Sequence, residues 1–231
     1  MSQLDTRILP AGDAAWLIEL PERIDSAVNG RAIEIARAIE ASDLPVSDLV
    51  VGYRSVMVFV DPLSDRAADV ETRLQQLAVT APSEGEAAGA RVDVPVCYDG
   101  PYGPDLADVA AFGKCSIDEV IERHLALEYR VFVVGFVPGF AYMASVDPRI
   151  AAPRRSSPRL KVPAGSVAVA AGQTGVYPAE TPGGWSLIGR CPVKPYDPDR
   201  AAPFLFHPGD RVRFTRISEA EYRAATQWGD A

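Results

Sequence analysis

The sequence GFVPGFAYMASVDPRIAAPRRSSPRLKVPAGSVAVAAGQTGVYPAETPGGWSLIGR, residues 135–190, decides how the second half of the chain folds. It contains eight glycines and seven prolines, yet apolar and aromatic residues are interleaved throughout. Disordered segments lack such apolar residues, so we interpret this composition as a backbone held in shaped turns. Because proline fixes φ and glycine permits positive φ, residues 137–140 and 181–185 are predicted to be turns that each present an aromatic ring.

Short strand candidates lie inside and around this segment, separated by Gly/Pro turns. Such a series of strands predicts a barrel or a sandwich. Before it, Ser116 and Glu119 have the spacing of a helix-starting capping box, and a turn at residues 207–210 leads into the last strand. The buried stripe of the predicted helix is Ile117, Val120, Ile121 and Leu125, and the predicted strands are residues 92–96, 129–136, 166–170, 185–188 and 211–217.

The first third of the chain alternates strand and helix patterns and predicts a small ferredoxin-like α+β domain. A helix is expected to begin at Asp25 or Ser26, and a second to bury Val70, Leu74 and Leu77. Residues 81–90 are small, acidic and flexible, and are therefore predicted to be a linker. The expected domains are residues 1–80 and 91–231, and the predicted strands of the first are residues 14–20, 49–51 and 56–60.

Composition and charge exclude several classes of protein. The 231 residues carry a net charge of −8, which argues against general binding to nucleic acid or to an anionic membrane. No cationic and apolar leader begins the chain and no apolar run is long enough to span a bilayer, so we expect a cytoplasmic location. Three scattered cysteines and two histidines predict reduced thiols and no metal site.

Residues 135–190 differ in charge from the rest of the chain. They hold six cationic side chains and two carboxylates, with Arg154, Arg155 and Arg159 at the centre. Guanidinium groups bind planar anions bidentately, so this cluster suits a carboxylate, a phosphate or an acidic partner. Surface arginines in solvated loops would give the same pattern, and the sequence leaves both interpretations open.

Individual side chains also have two interpretations. His124 borders an apolar helix stripe, as a structural histidine would, but is also the best candidate for a general base. Ser166 could be a nucleophile, although no Gly-x-Ser-x-Gly motif surrounds it. Gln173, Thr174 and Tyr177 could orient a polar ligand or satisfy a buried turn. No known nucleotide-binding glycine motif is present.

Several motifs together resemble one protein family. The sequence is similar to the C/A-type carboxyltransferase-domain family, also called allophanate hydrolase subunit 1, which includes the B subunits of bacterial 5-oxoprolinases and the sporulation-kinase inhibitor of bacilli. This resemblance implies a small α/β domain followed by a cyclophilin-like β-barrel. The motifs are Cys97-Tyr98, Gly103-Pro104-Asp105-Leu106, His124, residues 135–142, Pro153-Arg154-Arg155, residues 162–167, residues 172–175, Tyr177-Pro178 and residues 182–190.

The resemblance also implies a function. It indicates one chain of an ATP-dependent 5-oxoprolinase, with ATP used by the complex and with two partners: a subunit-2 homologue, which is the C-type chain of 5-oxoprolinase, and an A-type chain of the lactam-utilisation kind. An allophanate/urea amidolyase-type subunit 1 and a kinase-inhibitor-like interaction protein are the alternatives. The implied site has His124 as its catalytic residue, and its substrate-binding residues are Phe140, Tyr142, Arg154, Arg155, Ser166, Gln173, Thr174, Tyr177, Thr181, Gly183, Gly184, Trp185 and Arg190.

Overall fold

The computed structural model describes residues 6–23, 25–63, 69–82 and 89–226, and the chain divides into two compact units, Met1–Ala88 and Gly89–Ala231. Residues 83–88 of the predicted linker and residues 227–231 at the end of the chain lie outside the described residues. Within the described ranges, no helix combines the length and the apolar character that a membrane crossing requires.

The first unit contains four strands and two helices among its described residues. Helix α1 begins where the sequence predicts, because the Asp25 carboxylate accepts a hydrogen bond from the backbone N–H of Val28 at 2.7 Å. The apolar stripes of both helices pack on one face of the sheet. The elements are β1 (Arg7–Pro10), β2 (Ala15–Glu19), α1 (Ser26–Glu40), β3 (Val46–Val51), β4 (Ser55–Val60) and α2 (Val70–Thr80).

The sheet of this unit is antiparallel with the strand order β1-β2-β4-β3. Strands β2 and β3 flank β4 and are joined through α1, which is the split βαβ arrangement of a ferredoxin-like fold. In a ferredoxin-like fold, the edge strand beside β2 would follow α2 in sequence. Here that edge strand is β1, which precedes β2. The other edge strand, β3, has a register shift between Val46 and Asp48.

The second unit contains nine strands and three α-helices among its described residues. The predictions at residues 166–170 and 211–217 match strands with the same bounds. The elements are β5 (Arg91–Cys97), α3 (Leu106–Gly113), α4 (Ile117–Leu125), β6 (Glu128–Val134), β7 (Ala141–Ala144), β8 (Arg159–Val162), β9 (Ser166–Ala170), β10 (Gln173–Val176), β11 (Thr181–Gly183), β12 (Ser186–Arg190), β13 (Arg211–Ile217) and α5 (Glu219–Ala225).

Seven of these strands close into a barrel in the order β10-β7-β6-β13-β5-β12-β9, and β8 pairs with β11 in a separate ribbon. The fold class predicted from the sequence, α+β with a barrel, is confirmed. Helix α4 begins after Ser116 as predicted, but the buried position of Ile117 and the reciprocal role of Glu119 in the capping box are wrong. Ile117 is 44% exposed, and the Glu119 carboxylate binds Arg123 and Arg149, while the Ser116 hydroxyl caps the helix by accepting from the Glu119 N–H.

Candidate functional site

A groove lies on the outer side of the barrel wall, where strand β9 is buried on both faces. Val167 and Val169 point into the barrel core. Successive strand residues point to opposite faces, so Ala168 and Ala170 point outward, into a second apolar cluster. Their small side chains leave room there for the large rings that form the groove.

Phe140 is the centre of this second cluster. Its ring is 2% exposed and lies edge-on to the rings of Tyr142, Tyr177 and Trp185, at centroid distances of 4.8, 5.2 and 5.5 Å. Edge-to-face contacts of this kind stabilise aromatic pairs beyond their burial. The prediction of a turn at 181–185 is wrong in part, because Thr181–Gly183 form strand β11 and only residues 184–185 connect it to β12. This segment still meets the predicted turn at 137–140, because the rings of Trp185 and Phe140 are in contact.

The groove has a volume of about 210 Å³, and five of its ten lining residues are aromatic. It brings together seven residues that the sequence predicted as substrate-binding. These are Phe140, Tyr142, Arg154, Tyr177, Gly183, Gly184 and Trp185, and the groove adds three that were not predicted, Phe136, Pro158 and Pro182.

Arg154 is the cation of the groove. Its guanidinium carbon lies 6.0 Å from the centre of the Trp185 ring, and among the described residues no carboxylate pairs with it. Burial raises the pKa of the Tyr142 and Tyr177 phenols, while the charge of Arg154 opposes that rise in both. The phenols therefore stay protonated at neutral pH and can donate hydrogen bonds beside an available positive charge.

Arg155 and Arg159 have a different role from Arg154, because both bind Asp105. The Arg159 guanidinium contacts the Asp105 carboxylate bidentately at 2.9 and 2.6 Å, and Arg155 donates to it at 3.2 Å. The Leu187 N–H also donates to this carboxylate at 2.7 Å. Asp105 therefore links the segment from Arg155 to Arg159 to strand β12. Of the predicted pair, Arg154 lines the groove and Arg155 does not.

Two neighbouring glycines of the groove differ in the space around them. A methyl group on Gly183 would lie 2.9 Å from Cζ of Tyr177, whereas one on Gly184 would meet Pro158 Cγ at an ordinary 3.6 Å. We expect Gly183→Ala to displace the Tyr177 ring and to lower the free energy of unfolding by about 1–3 kcal/mol. Gly184→Ala is the matched control, with a change within about 0.5 kcal/mol. Urea unfolding checks both, and equal stability of the two variants would contradict the predicted clash.

His124 lies in the barrel interior and does not line the groove. It is fully buried, and its ring stacks on Phe214 at 4.5 Å. Its Nδ1 lies 2.8 Å from the Tyr98 hydroxyl and its Nε2 lies 3.0 Å from Thr174 Oγ1. The Thr174 hydroxyl donates to the carbonyl of Ala168, so we assign the Nε2–H tautomer, with Nδ1 accepting from Tyr98. We do not include His124 or Thr174 in the groove site.

Burial lowers the pKa of His124 from 6.5 to about 3. As the pH falls below about 6.5, the unfolded chain therefore binds a proton that the native state excludes, and stability is lost until the pH reaches about 3. We expect His124→Gln to remove this contribution. Between pH 6 and pH 4, the wild type should therefore lose on the order of 2 kcal/mol more unfolding free energy than the variant loses. Urea titrations at both pH values test this, and parallel pH dependences would contradict it.

The remaining predicted residues also lie outside the groove lining. The Ser166 hydroxyl is buried and donates to the Pro163 carbonyl at 2.7 Å, and the Thr181 hydroxyl donates to the Pro182 carbonyl. Gln173 begins β10, and the Arg190 guanidinium lies 5.9 Å from the Tyr102 ring centre. These contacts support turns and strands of the barrel unit.

Sequence reasoning missed Phe136 and Asp105. Phe136 stands inside the 135–142 motif, next to a turn that was predicted, so its position was a usable signal. Asp105 also stands inside a quoted motif, Gly103-Pro104-Asp105-Leu106, but its pairing had no local signal, because its arginine partners follow it by 50 and 54 residues.

The carboxyltransferase domain family, subdomain C and D, matches residues 6–206, and the chain belongs to this family. Within it, the chain is 41% identical over 228 residues to the 5-oxoprolinase B subunit of Bacillus subtilis (strain 168), covering 92% of this chain and 93% of that protein. It is 40% identical over 210 residues to the 5-oxoprolinase B subunit of Escherichia coli O157:H7, covering 90% and 94%.

Two solved structures are similar to this chain in fold. The crystal structure of TTHA0988 matches with a TM-score of 0.78 and 39% identity over 88% of this chain, which spans 40% of the TTHA0988 chain. The urea amidolyase of K. lactis matches with a TM-score of 0.77 over 96% of this chain and 15% of that one, at 18% identity. At that identity the likeness shows the fold alone.

Proposed function

We propose that this chain is the B-type subunit of an ATP-dependent 5-oxoprolinase, which opens the lactam ring of 5-oxo-L-proline to give L-glutamate. The observation that carries this proposal is the identity of 41% and 40% to 5-oxoprolinase B subunits over at least 90% of each chain. The relative named putative urea carboxylase is 24% identical and matches over only 16% of its own length, which supports the urea branch less.

In this proposal the groove binds the substrate by its carboxylate. The Arg154 guanidinium offers a planar pair of donors to a carboxylate, and a ligand bound beside the Trp185 ring would cover part of that contact from water. A charge-assisted hydrogen bond is stronger where water is excluded. The protonated phenols of Tyr142 and Tyr177 can donate to oxygens elsewhere on the ligand.

The complete activity requires partners in this proposal. The partners are a subunit-2 homologue, as the C-type chain, and a lactam-utilisation-type protein, as the A-type chain, and ATP is hydrolysed by their complex. The absence of a phosphate-binding glycine motif from the sequence supports a site shared with other chains.

Reconstitution tests the proposal. The three purified chains, mixed or co-expressed, are expected to hydrolyse ATP only when 5-oxoproline is present and to release glutamate. The same preparation is assayed with allophanate, and the chain alone is assayed for binding to a histidine kinase. A stable complex of the three chains with no 5-oxoproline-dependent hydrolysis would refute the proposal, and activity on allophanate or kinase binding would favour the corresponding alternative.

A further inference from the structure

Phe136 combines two features that normally exclude each other. Its side chain is 63% exposed, so burial does not hold it in place. Its backbone φ is 72°, in the left-handed region, where a bulky residue is a true outlier. A large apolar ring held in solvent by an unfavourable backbone conformation needs an explanation.

The other non-glycine residues with positive φ among the described residues have ordinary explanations. Lys114 ends helix α3 in the left-handed conformation that commonly caps helices. Ala171 and Gly172 form the two-residue loop of the β9–β10 hairpin, which requires positive φ at both positions. Phe136 is in neither a helix cap nor a two-residue hairpin.

The surrounding loop fixes this conformation. The Gly135 N–H donates to the Phe140 carbonyl at 3.0 Å, and the Phe140 N–H donates to the Val137 carbonyl at 3.1 Å. Gly139 packs so closely on Tyr196 that a methyl group there would lie 2.6 Å from its Cβ. The loop is thus anchored on both sides of Phe136, and strained residues of this kind cluster at ligand sites.

The ring that the loop presents belongs to the groove. Phe136 lines it, and its ring stands edge-on to Phe140 at a centroid distance of 5.8 Å. Contacts then run from Phe140 to Trp185, and from Trp185 to Arg154. Phe136 and Arg154 are therefore the exposed members at the two ends of this row of contacts.

We propose that Phe136 is a substrate-contacting, specificity-determining residue, whose ring packs on the apolar face of a small cyclic ligand while Arg154 binds the carboxylate of that ligand. This inference rests on the proposed function, because it assigns the ligand of the same groove. This role accounts for the unfavourable backbone conformation of Phe136. The conformation keeps the exposed face of the ring in the groove, where the bound ligand would cover it.

The test uses the assembled complex and two substitutions at Phe136. Phe136→Asn removes the ring and places a residue that tolerates positive φ, so KM for 5-oxoproline is expected to rise at least tenfold while the melting temperature of the chain stays unchanged or rises by roughly 2–4 °C. Phe136→Tyr keeps the ring and is expected to keep KM within about twofold. Ala171→Gly is the matched control. It removes the side chain of a residue that also has a positive backbone φ but lies outside the groove, so KM should stay unchanged.

The outcomes separate this inference from the proposed function. An unchanged KM in Phe136→Asn, with Arg154→Ala still defective, would overturn the role of Phe136 alone. Loss of the partner chains from the Phe136→Asn complex would also overturn it, because the ring would then be an interface residue. If neither Phe136→Asn nor Arg154→Ala alters KM, the groove is not the substrate site. The proposed function itself fails only if the assembled wild-type complex shows no hydrolysis of ATP that depends on 5-oxoproline. A lower melting temperature in Phe136→Asn would refute the strain argument.

Discussion

Replacing Arg154 by alanine is expected to raise the KM for 5-oxoproline by on the order of 100-fold in the assembled complex, because the substrate carboxylate loses its charge-assisted partner. Arg154→Lys keeps the charge but loses the planar fork, so an intermediate rise of about tenfold is expected. The stability of the chain should change little, since Arg154 is exposed and pairs with no carboxylate among the described residues.

The matched control for Arg154 is Arg213→Ala on strand β13. Arg213 is also an exposed arginine of the second unit, but it pairs with Asp93 on the outside of the barrel. Steady-state ATP hydrolysis at varied 5-oxoproline concentration measures both variants. A KM for Arg154→Ala equal to that of Arg213→Ala would remove the groove as the carboxylate site.

The Asp105→Ala variant is expected to lose about 3 kcal/mol of unfolding free energy, because it leaves two guanidinium groups and the Leu187 N–H without their shared acceptor. This loss lies at the lower end of the range for broken buried ion pairs, because the side chains of Arg155 and Arg159 keep 34% and 26% of their surface exposed. The loop that carries Arg154 should loosen with them, so that KM for the substrate also rises.

Asp93→Ala is the control for Asp105, because both carboxylates pair with arginines of the same unit but Asp93 is exposed. Its urea midpoint is expected to match that of the wild type, since exposed ion pairs contribute little. Asp105→Asn keeps the volume of the side chain, and its urea midpoint is expected to lie between those of Asp105→Ala and Asp93→Ala. If Asp105→Ala unfolds at the urea concentration of Asp93→Ala, the buried carboxylate does not hold the loop.

Much of the fold could be predicted from local patterns. The strand Ser166–Ala170 is a continuous apolar run, and Arg211–Ile217 alternates buried and exposed side chains, so each has a clear pattern. Strands β7, β8, β10 and β11 have only three or four residues each, some of them glycine or proline. Strands β7 and β10 have local partners in β6 and β9 but also pair with each other, and β8 pairs with β11. The sequence gives no local signal for these last two pairings, which join residues far apart in the chain.

Only part of the site could be predicted, because local composition indicates turns but not contacts between residues that are distant in sequence. Trp185 and Phe140 stand in turns that local composition predicts, and the structure brings these rings together. The separation of Arg154 from Arg155 depends on Asp105, which lies 50 residues from Arg155 in sequence. His124 was correctly located beside an apolar stripe, but its depth and its contacts with Tyr98 and Thr174 depend on closure of the barrel.

Barrel closure also determines where this chain could join another by backbone pairing. A closed barrel has no open edge, so among the described residues intermolecular sheet growth could begin only at strands outside it, which are the ribbon of β8 and β11 and the edges of the first unit, β1 and β3. Strand β1 has four residues and ends in Pro10, which has no N–H to donate. The register shift and the charge of Asp48 interrupt β3. Both edges of the four-stranded sheet therefore disfavour the addition of a strand from another copy of this chain.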